Sequence, residues 1–184
     1  MASEHQWLLP ASLTEDTPNP RRSTRDWIVD IALFLLALGS WPLIWLDVQA
    51  TVGNRGPEWL PTLDLVVGFL LCWTLWWRRR WPAALAVIGA LAGLLSLSGA
   101  LAIFILFFTV VVHRRPTISA PIALLNVAVG MAVNLYRPDQ LLNTLGVFLV
   151  NVGLTAVLFA WGMFIRARRQ LIIALRERAL RAER

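Results

Sequence analysis

The chain of 184 residues is 58% hydrophobic and carries a formal net charge of +6, whereas soluble domains are about 45–50% apolar. Its charges are confined to short clusters between long uncharged runs, a pattern typical of proteins that cross a membrane several times. All 17 basic residues are arginines that flank the apolar runs, which argues against a nucleic-acid-binding surface. The single cysteine, Cys72, excludes disulfides within the chain and thiolate metal sites.

The chain begins with a polar, proline-containing segment, residues 1–24, that lacks the apolar core and cleavage site of a signal peptide. The sequence predicts that this segment is a disordered cytoplasmic tail. A transmembrane domain is predicted at 25–165, with its first span at 27–46. A loop rich in glycine and proline leads to the second span at 60–77, which a cluster of three arginines closes.

Residues 81–112 carry no charge and are interrupted by Ser-Leu-Ser-Gly at 96–99. A single membrane crossing would use only part of these residues. Two crossings would use them all, but each span would be only about 22–24 Å long, which is short for the hydrocarbon layer. The arginine clusters on either side both have cytoplasmic character, and two crossings keep both clusters on one face. The sequence therefore predicts spans at 82–96 and 100–112, with a re-entrant hairpin as the alternative.

Two more spans are predicted at 117–135 and 141–165. With six spans, fifteen arginines are cytoplasmic and only Arg55 and Arg137 lie outside, in agreement with the positive-inside rule. The predicted fold class is an all-α integral membrane protein with six transmembrane helices. It lies in the cell (plasma) membrane with both termini in the cytoplasm.

Polar side chains inside a span are costly, so each is a candidate for function. The candidates are Asp64 in the second span, Asn126 and Asn134 in the fifth, and Asn151 and Thr155 on one face of the sixth. One interpretation gathers Asp64 and the three asparagines around a small pocket for a ligand or ion. The alternative, favoured for the asparagines, is hydrogen bonding between helices.

Two aspartates have arginine candidates for ion pairs. Asp30, one turn into the first span, is expected to pair with Arg25 or with the arginines at 78–80. Asp64, near the outer rim, is expected to pair with Arg55 or Arg137.

Gly89 and Gly93 form a GxxxG arrangement in the third span, which predicts close helix packing and only weakly supports dimerisation. No P-loop, zinc-protease or nucleophile-elbow motif is present. His5 lies in the tail, and His113 is interpreted as a polar anchor at the inner end of the fourth span. No catalytic residue, metal site or cofactor is therefore predicted in this chain.

The chain ends in a charged helical segment, residues 166–184, predicted to be a cytoplasmic signalling helix. Ile172, Leu175 and Ala179 have the 3–4 spacing of a coiled-coil seam, and an interfacial amphipathic helix fits the same pattern. No Gly, Pro or Asn closes the segment, so either the helix frays or the chain continues.

Three segments carry a resemblance to a known family: RRSTRDWIVDIALFLL (21–36), the block RRRWPAAL…VVVHRR (78–115) and RARRQLIIALRERALRAER (166–184). They resemble the N-terminal membrane region of actinobacterial two-component sensor histidine kinases, of the class that phosphorylates NarL-type response regulators. The resemblance implies a homodimeric membrane sensor and anchor module whose last helix is a stalk toward a kinase core.

The same resemblance places the phospho-accepting histidine, ATP and Mg²⁺ in a kinase core outside these residues. Neither His5 nor His113 matches the phospho-acceptor motif. The resemblance implies that the whole protein is an ATP-dependent protein-histidine kinase, although this chain contains none of the catalytic residues. Whether the chain belongs to an enzyme therefore stays open at this point.

Two other functions fit the sequence. One is a small transporter with a polar path through Asp64 and the asparagines. The other is a membrane scaffold whose arginine-rich tail binds anionic lipid or a partner.

Overall fold

A computed structural model describes residues 24–51, 57–138 and 141–182. These residues form turns and six α-helices, which are α1 (Thr24–Thr51), α2 (Leu60–Thr74), α3 (Pro82–Ala92), α4 (Ala100–His113), α5 (Pro116–Tyr136) and α6 (Thr144–Ala182). A 3₁₀ turn at Leu75–Trp77 extends α2. Stretches in α1, α2, α5 and α6 are long and apolar enough to cross a membrane, while α3 and α4 are shorter apolar helices. The prediction of an all-helical protein is confirmed for the described residues, and four of their helices are long and apolar enough to span a membrane.

One end of the helix bundle is rich in arginine. Arg78, which follows α2, binds Asp30 near the start of α1, and Arg166 in the middle of α6 donates to the carbonyl of Arg114, which follows α4. We call this region, with residues 78–80, 113–115 and 166–169 around Asp30, the arginine end.

The opposite end joins the other helix termini. Arg137, which follows α5, binds Asp64 near the start of α2, and the hydroxyl of Tyr136 donates to the carbonyl of Leu94, which follows α3. Successive helices therefore run in alternating directions between the two ends.

Helix α4 lies at the centre of the bundle and contacts each of the other five helices. Its sequence, ALAIFILFFTVVVH, is apolar on almost every side, as expected of a helix surrounded by other helices. Leu106, Phe107, Val110 and Val111 are fully buried. The hydrophobic core is thus built around α4.

Glycines allow the neighbouring helices to approach α4 closely. A Cβ on Gly162 in α6 would lie 2.6 Å from Val111 Cγ1, and a Cβ on Gly89 in α3 would lie 3.1 Å from Leu106 Cδ1. A Cβ on Gly93, just after α3, would lie 2.9 Å from the carbonyl oxygen of Ala90 and 3.4 Å from Ile103 of α4 and Val129 of α5. The GxxxG arrangement is therefore used in packing within the chain, and this face of α3 is covered.

The ends of α1 and α3 differ from the predicted spans. Helix α1 continues past residue 46 to Thr51. Helix α3 ends at Ala92 rather than at residue 96, because the following residues form tighter turns. Backbone N–H groups of Leu94 and Leu95 donate to carbonyls three residues earlier, at 3.0 and 2.9 Å. These turns carry Ser96 toward α2.

Helix α6 begins at Thr144 rather than at the predicted residue 141. Asn143 Oδ1 accepts a hydrogen bond of 2.7 Å from the backbone N–H of Gly146. An asparagine that satisfies a first-turn N–H is an N-cap, and this cap sets the start of the helix.

Several predicted features lie outside the described residues. The tail predicted at 1–24 does so except for Thr24, which begins α1. Arg55 also lies outside them, as do the side chains of Arg25 and Ala179.

Candidate functional site

The most deeply buried charges form an ion pair between α2 and the end of α5. Asp64 is 0% exposed and Arg137 is 5% exposed. Arg137 Nη1 donates to Asp64 Oδ2 at 3.1 Å. Burying two charges is costly, and their attraction offsets that cost only when their other polar atoms are also bonded.

The turn between α3 and α4 supplies the bonds to the second carboxylate oxygen. Ser96 Oγ lies 2.9 Å from Asp64 Oδ1, and the backbone N–H of Ser98 donates to the same oxygen at 3.0 Å. Ser98 Oγ donates to the backbone carbonyl of Asp64 at 3.1 Å. Both carboxylate oxygens therefore have hydrogen-bond donors. We call Asp64, Ser96, Ser98 and Arg137 the Asp64 cluster.

Two glycines allow the turn to reach α2. A Cβ on Gly68 would overlap Ser98 Oγ and lie 2.8 Å from the ring of Trp41, and a Cβ on Gly99 would lie 2.6 Å from Leu71 Cδ1. Trp41 Nε1 donates to the carbonyl of Leu65 at 3.1 Å, which holds α1 beside the same turn of α2. The cluster thus connects the start of α2, the α3–α4 turn and the end of α5.

The chemistry of the Asp64 cluster is that of a clamp. The carboxylate of Asp64 is fully buried, accepts hydrogen bonds on both oxygens and faces a guanidinium, so it holds together the three segments that supply these groups. Within the described residues, no group of three or more His, Cys, Asp or Glu side chains is placed to hold a metal ion. If the end of α5 separates from the start of α2, the buried charges of Asp64 and Arg137 must each bind another partner or water.

The asparagines do not join this cluster. Asn126 Nδ2 donates to the carbonyl of Ile122 in its own helix at 3.0 Å, and the side chain of Asn151 packs against Gly130 of α5. Asn134 is buried in α5. Across the described part of the chain, no hydrogen bond connects an asparagine to Asp64, so the hypothesis of one shared polar pocket is not supported.

Thr155, the other polar candidate in α6, is buried. Its Oγ1 has no hydrogen-bond partner among the residues that the structure describes. It lies apart from the hydrogen bonds of the Asp64 cluster.

Ser96 and Ser98 were predicted only as a turn. The signal that identifies them is topological: in a bundle of alternating helices, the α3–α4 turn lies at the same end as the start of α2. A buried carboxylate needs donors there, and Ser-Leu-Ser-Gly supplies hydroxyls and free backbone N–H groups.

At the arginine end, Asp30 forms the second ion pair of the bundle. It binds Arg78 and, at 3.0 Å, Nε of Arg79, both of which belong to the cluster expected to pair with it. His113 Nδ1 lies 2.9 Å from the carbonyl of Thr109, and the ring is within electrostatic range of Arg78, Arg79 and Arg169. Helices α2, α4 and α6 therefore bring their arginines together.

Past the arginine end, every side chain of α6 that the structure describes is exposed. Ile172 and Leu175, two members of the predicted seam, are exposed. Arg181 and Glu177 form an exposed pair of 3.5 Å one turn apart. The apolar seam is therefore open to a partner in the described single chain.

No curated protein and no solved structure matches the chain. A family model described as a domain of unknown function matches residues 21–171, which include all six helices at least in part and the whole Asp64 cluster. The chain belongs to this family, DUF8318.

Proposed function

We propose that the chain is the membrane sensor and anchor module of a two-component sensor histidine kinase, which relays a membrane or extracytoplasmic signal to a kinase core outside these residues. The observation that carries the proposal is α6, a single uninterrupted helix of 39 residues. The resemblance of three sequence segments to such sensor regions supplies the identity of the core.

The length of α6 suits a signal-transmitting element. At a rise of 1.5 Å per residue the helix is about 58 Å long, roughly twice the ~30 Å thickness of the hydrocarbon layer. Its first part packs against α4 and α5, and beyond Arg169 the side chains that the structure describes are exposed. A rotation or shift imposed on the packed part therefore moves the exposed part as one body.

In the proposed topology all six helices cross the membrane and both termini are cytoplasmic. The alternating directions of the helices and the concentration of arginine at one end support this topology. Helices α3 and α4 cross as a short pair. Reporter fusions test this directly, since a fusion after Asn143 is expected to be extracytoplasmic and one after Arg184 cytoplasmic.

The Asp64 cluster lies at the proposed outer end, next to the connection from α5 to α6. We assign it the role of a latch. A stimulus that weakens the ion pair frees the end of α5 and thereby the start of α6. The stimulus is a small molecule, a change in lipid state or a second membrane protein.

The proposed partners follow from the same function. Exposed Ile172 and Leu175 suit a homodimer in which the last parts of two α6 helices pair. A NarL-type response regulator, ATP and Mg²⁺ belong to the kinase core, and no described residue is assigned to them.

The first test is the intact mass of the protein isolated from its native membranes. A mass larger than the 20.6 kDa of this chain by one or two domains of about 100–150 residues each supports the proposal. A mass of 20.6 kDa excludes it and favours a transporter or scaffold.

The second test uses that native-length protein, reconstituted in lipid, and an autophosphorylation assay with ATP. One residue inserted after Arg169 rotates the following helix by about 100°, while seven residues restore the phase to within about 20°. We expect the first insertion to change the ratio of kinase to phosphatase activity and the second to preserve it. Equal activity of both variants would exclude transmission through α6.

A further inference from the structure

Among the described residues, the arginine end carries more positive than negative charge. Asp30 is already paired with Arg78 and Arg79. In the described ranges, no carboxylate lies within ion-pair distance of the other arginines of this end, which are Arg80, Arg114, Arg115, Arg166, Arg168 and Arg169. The folded chain therefore leaves the positive charge of these six arginines without a neighbouring carboxylate among the described residues.

These arginines come from the turns after α2 and α4 and from the middle of α6. Arg166 of α6 donates to the carbonyl of Arg114, which brings α6 against the α4–α5 turn. His113 at the end of α4 lies within electrostatic range of Arg169 and of Arg78 and Arg79, which follow α2. Like charges gathered in this way repel each other unless an anion lies between them.

The surroundings indicate the depth at which that anion lies. Trp76, Trp77 and Trp81 are exposed at the same end, and the guanidinium of Arg80 lies 5.5 Å from the centre of the Trp81 ring. Tryptophan rings concentrate at the boundary between hydrocarbon and headgroups. Under the proposed topology, these tryptophans place the arginine end at the level of the lipid phosphates.

We infer that the arginine end binds the phosphate of an anionic phospholipid, between the α4–α5 turn and the facing part of α6. Arg114 and Arg115 contact the headgroup from the turn, and Arg168 and Arg169 contact it from α6. Guanidinium groups bind phosphate oxygens in a bidentate manner, and basic pockets between membrane helices are suited to anionic headgroups. The inference requires the membrane location but does not depend on a kinase core.

The experiment measures lipid binding to the purified full chain in a neutral detergent by native mass spectrometry. The probes are phosphatidylglycerol, which is anionic, phosphatidylcholine, which has the same phosphate but no net charge, and inorganic phosphate as a competitor. The two test variants are R114Q/R115Q and R168Q/R169Q. The matched control, R178Q/R181Q, removes the same charge from the part of α6 beyond the arginine end.

We expect the wild type and the control to bind phosphatidylglycerol in preference to phosphatidylcholine. Each test variant is expected to bind phosphatidylglycerol about thirtyfold more weakly, from the loss of two arginines at a membrane surface. Because one test variant alters the α4–α5 turn and the other alters α6, one that fails to fold, as judged by circular dichroism, leaves the other to decide.

Three results would overturn the inference. Equal weakening in the control variant would mean that lipid is attracted by net charge alone. Equal binding of phosphatidylcholine would mean that the headgroup charge is not recognised. Displacement of the lipid by inorganic phosphate would identify a site for free phosphate.

Discussion

The buried ion pair between Asp64 and Arg137 gives the most direct test of the fold. Asp64→Asn preserves the shape of the side chain and its carbonyl acceptor for Ser96 and Ser98, but it removes the negative charge. Arg137, which is 5% exposed, then faces an amide that offers N–H groups. Removing one member of a buried ion pair costs about 3–5 kcal/mol, a large fraction of the roughly 5–15 kcal/mol that stabilises a typical native domain.

Arg137→Gln is expected to have an effect of the same size, because it leaves the fully buried carboxylate of Asp64 without a positive partner. The double variant D64N/R137Q contains two amides that can bond to each other. Its loss of stability is expected to be at least about 2 kcal/mol smaller than the sum of the two single losses, since residues in direct contact are energetically coupled.

The assay is unfolding by sodium dodecyl sulfate in mixed micelles, followed by tryptophan fluorescence. Arg181→Gln is the control, because it removes one member of an ion pair whose two side chains are 77% and 59% exposed. An exposed pair contributes about 0–1 kcal/mol. If the loss of unfolding free energy in the double variant equals the sum of the two single losses to within about 0.5 kcal/mol, Asp64 and Arg137 do not form the ion pair.

Three further predictions use the same preparation. Gly162→Ala is expected to lower the free energy of unfolding by about 1–3 kcal/mol through overpacking against α4, while Gly153→Ala, whose Cβ meets no atom within 4 Å, should be neutral or stabilising; equal effects would contradict the close approach of α6 to α4. Cys72 is 1% exposed, so a water-soluble maleimide should label it only after unfolding. Rapid labelling of the folded chain would contradict the burial of this side of α2. Asp30→Asn leaves Arg78 buried without its main partner and should cost about 3 kcal/mol, a loss that unchanged unfolding would refute.

The helices of this bundle could largely be predicted from the sequence, because the length of an apolar run and the position of arginine determine where a helix can cross a membrane. The ends of α3 and α6 could not be located in this way. Helix α3 stops at Ala92 because its following turn binds α2, which is a contact between distant parts of the chain. The start of α6 does have a local signal in the asparagine cap at 143, which the apolar pattern alone misses.

The Asp64 cluster was predictable in part. Both charged members stand out, since one is an aspartate inside an apolar run and the other is one of two arginines assigned outside. The choice between Arg55 and Arg137, however, depends on which helix end lies beside α2. For the asparagines, hydrogen bonding between helices was the favoured prediction, whereas the amide of Asn126 bonds within its own helix, to the carbonyl of Ile122.

Helix α3 has a consequence for the lipid around the protein. It has only 11 residues, or about 17 Å of helix, yet Ile88, Leu91 and Leu95 on and just after it are exposed. Under the proposed topology, the bilayer beside α3 must become thinner than its ~30 Å hydrocarbon thickness. The elastic cost of this deformation rises with the length of the acyl chains, so the flank of the bundle at α3 makes the protein's free energy sensitive to membrane thickness.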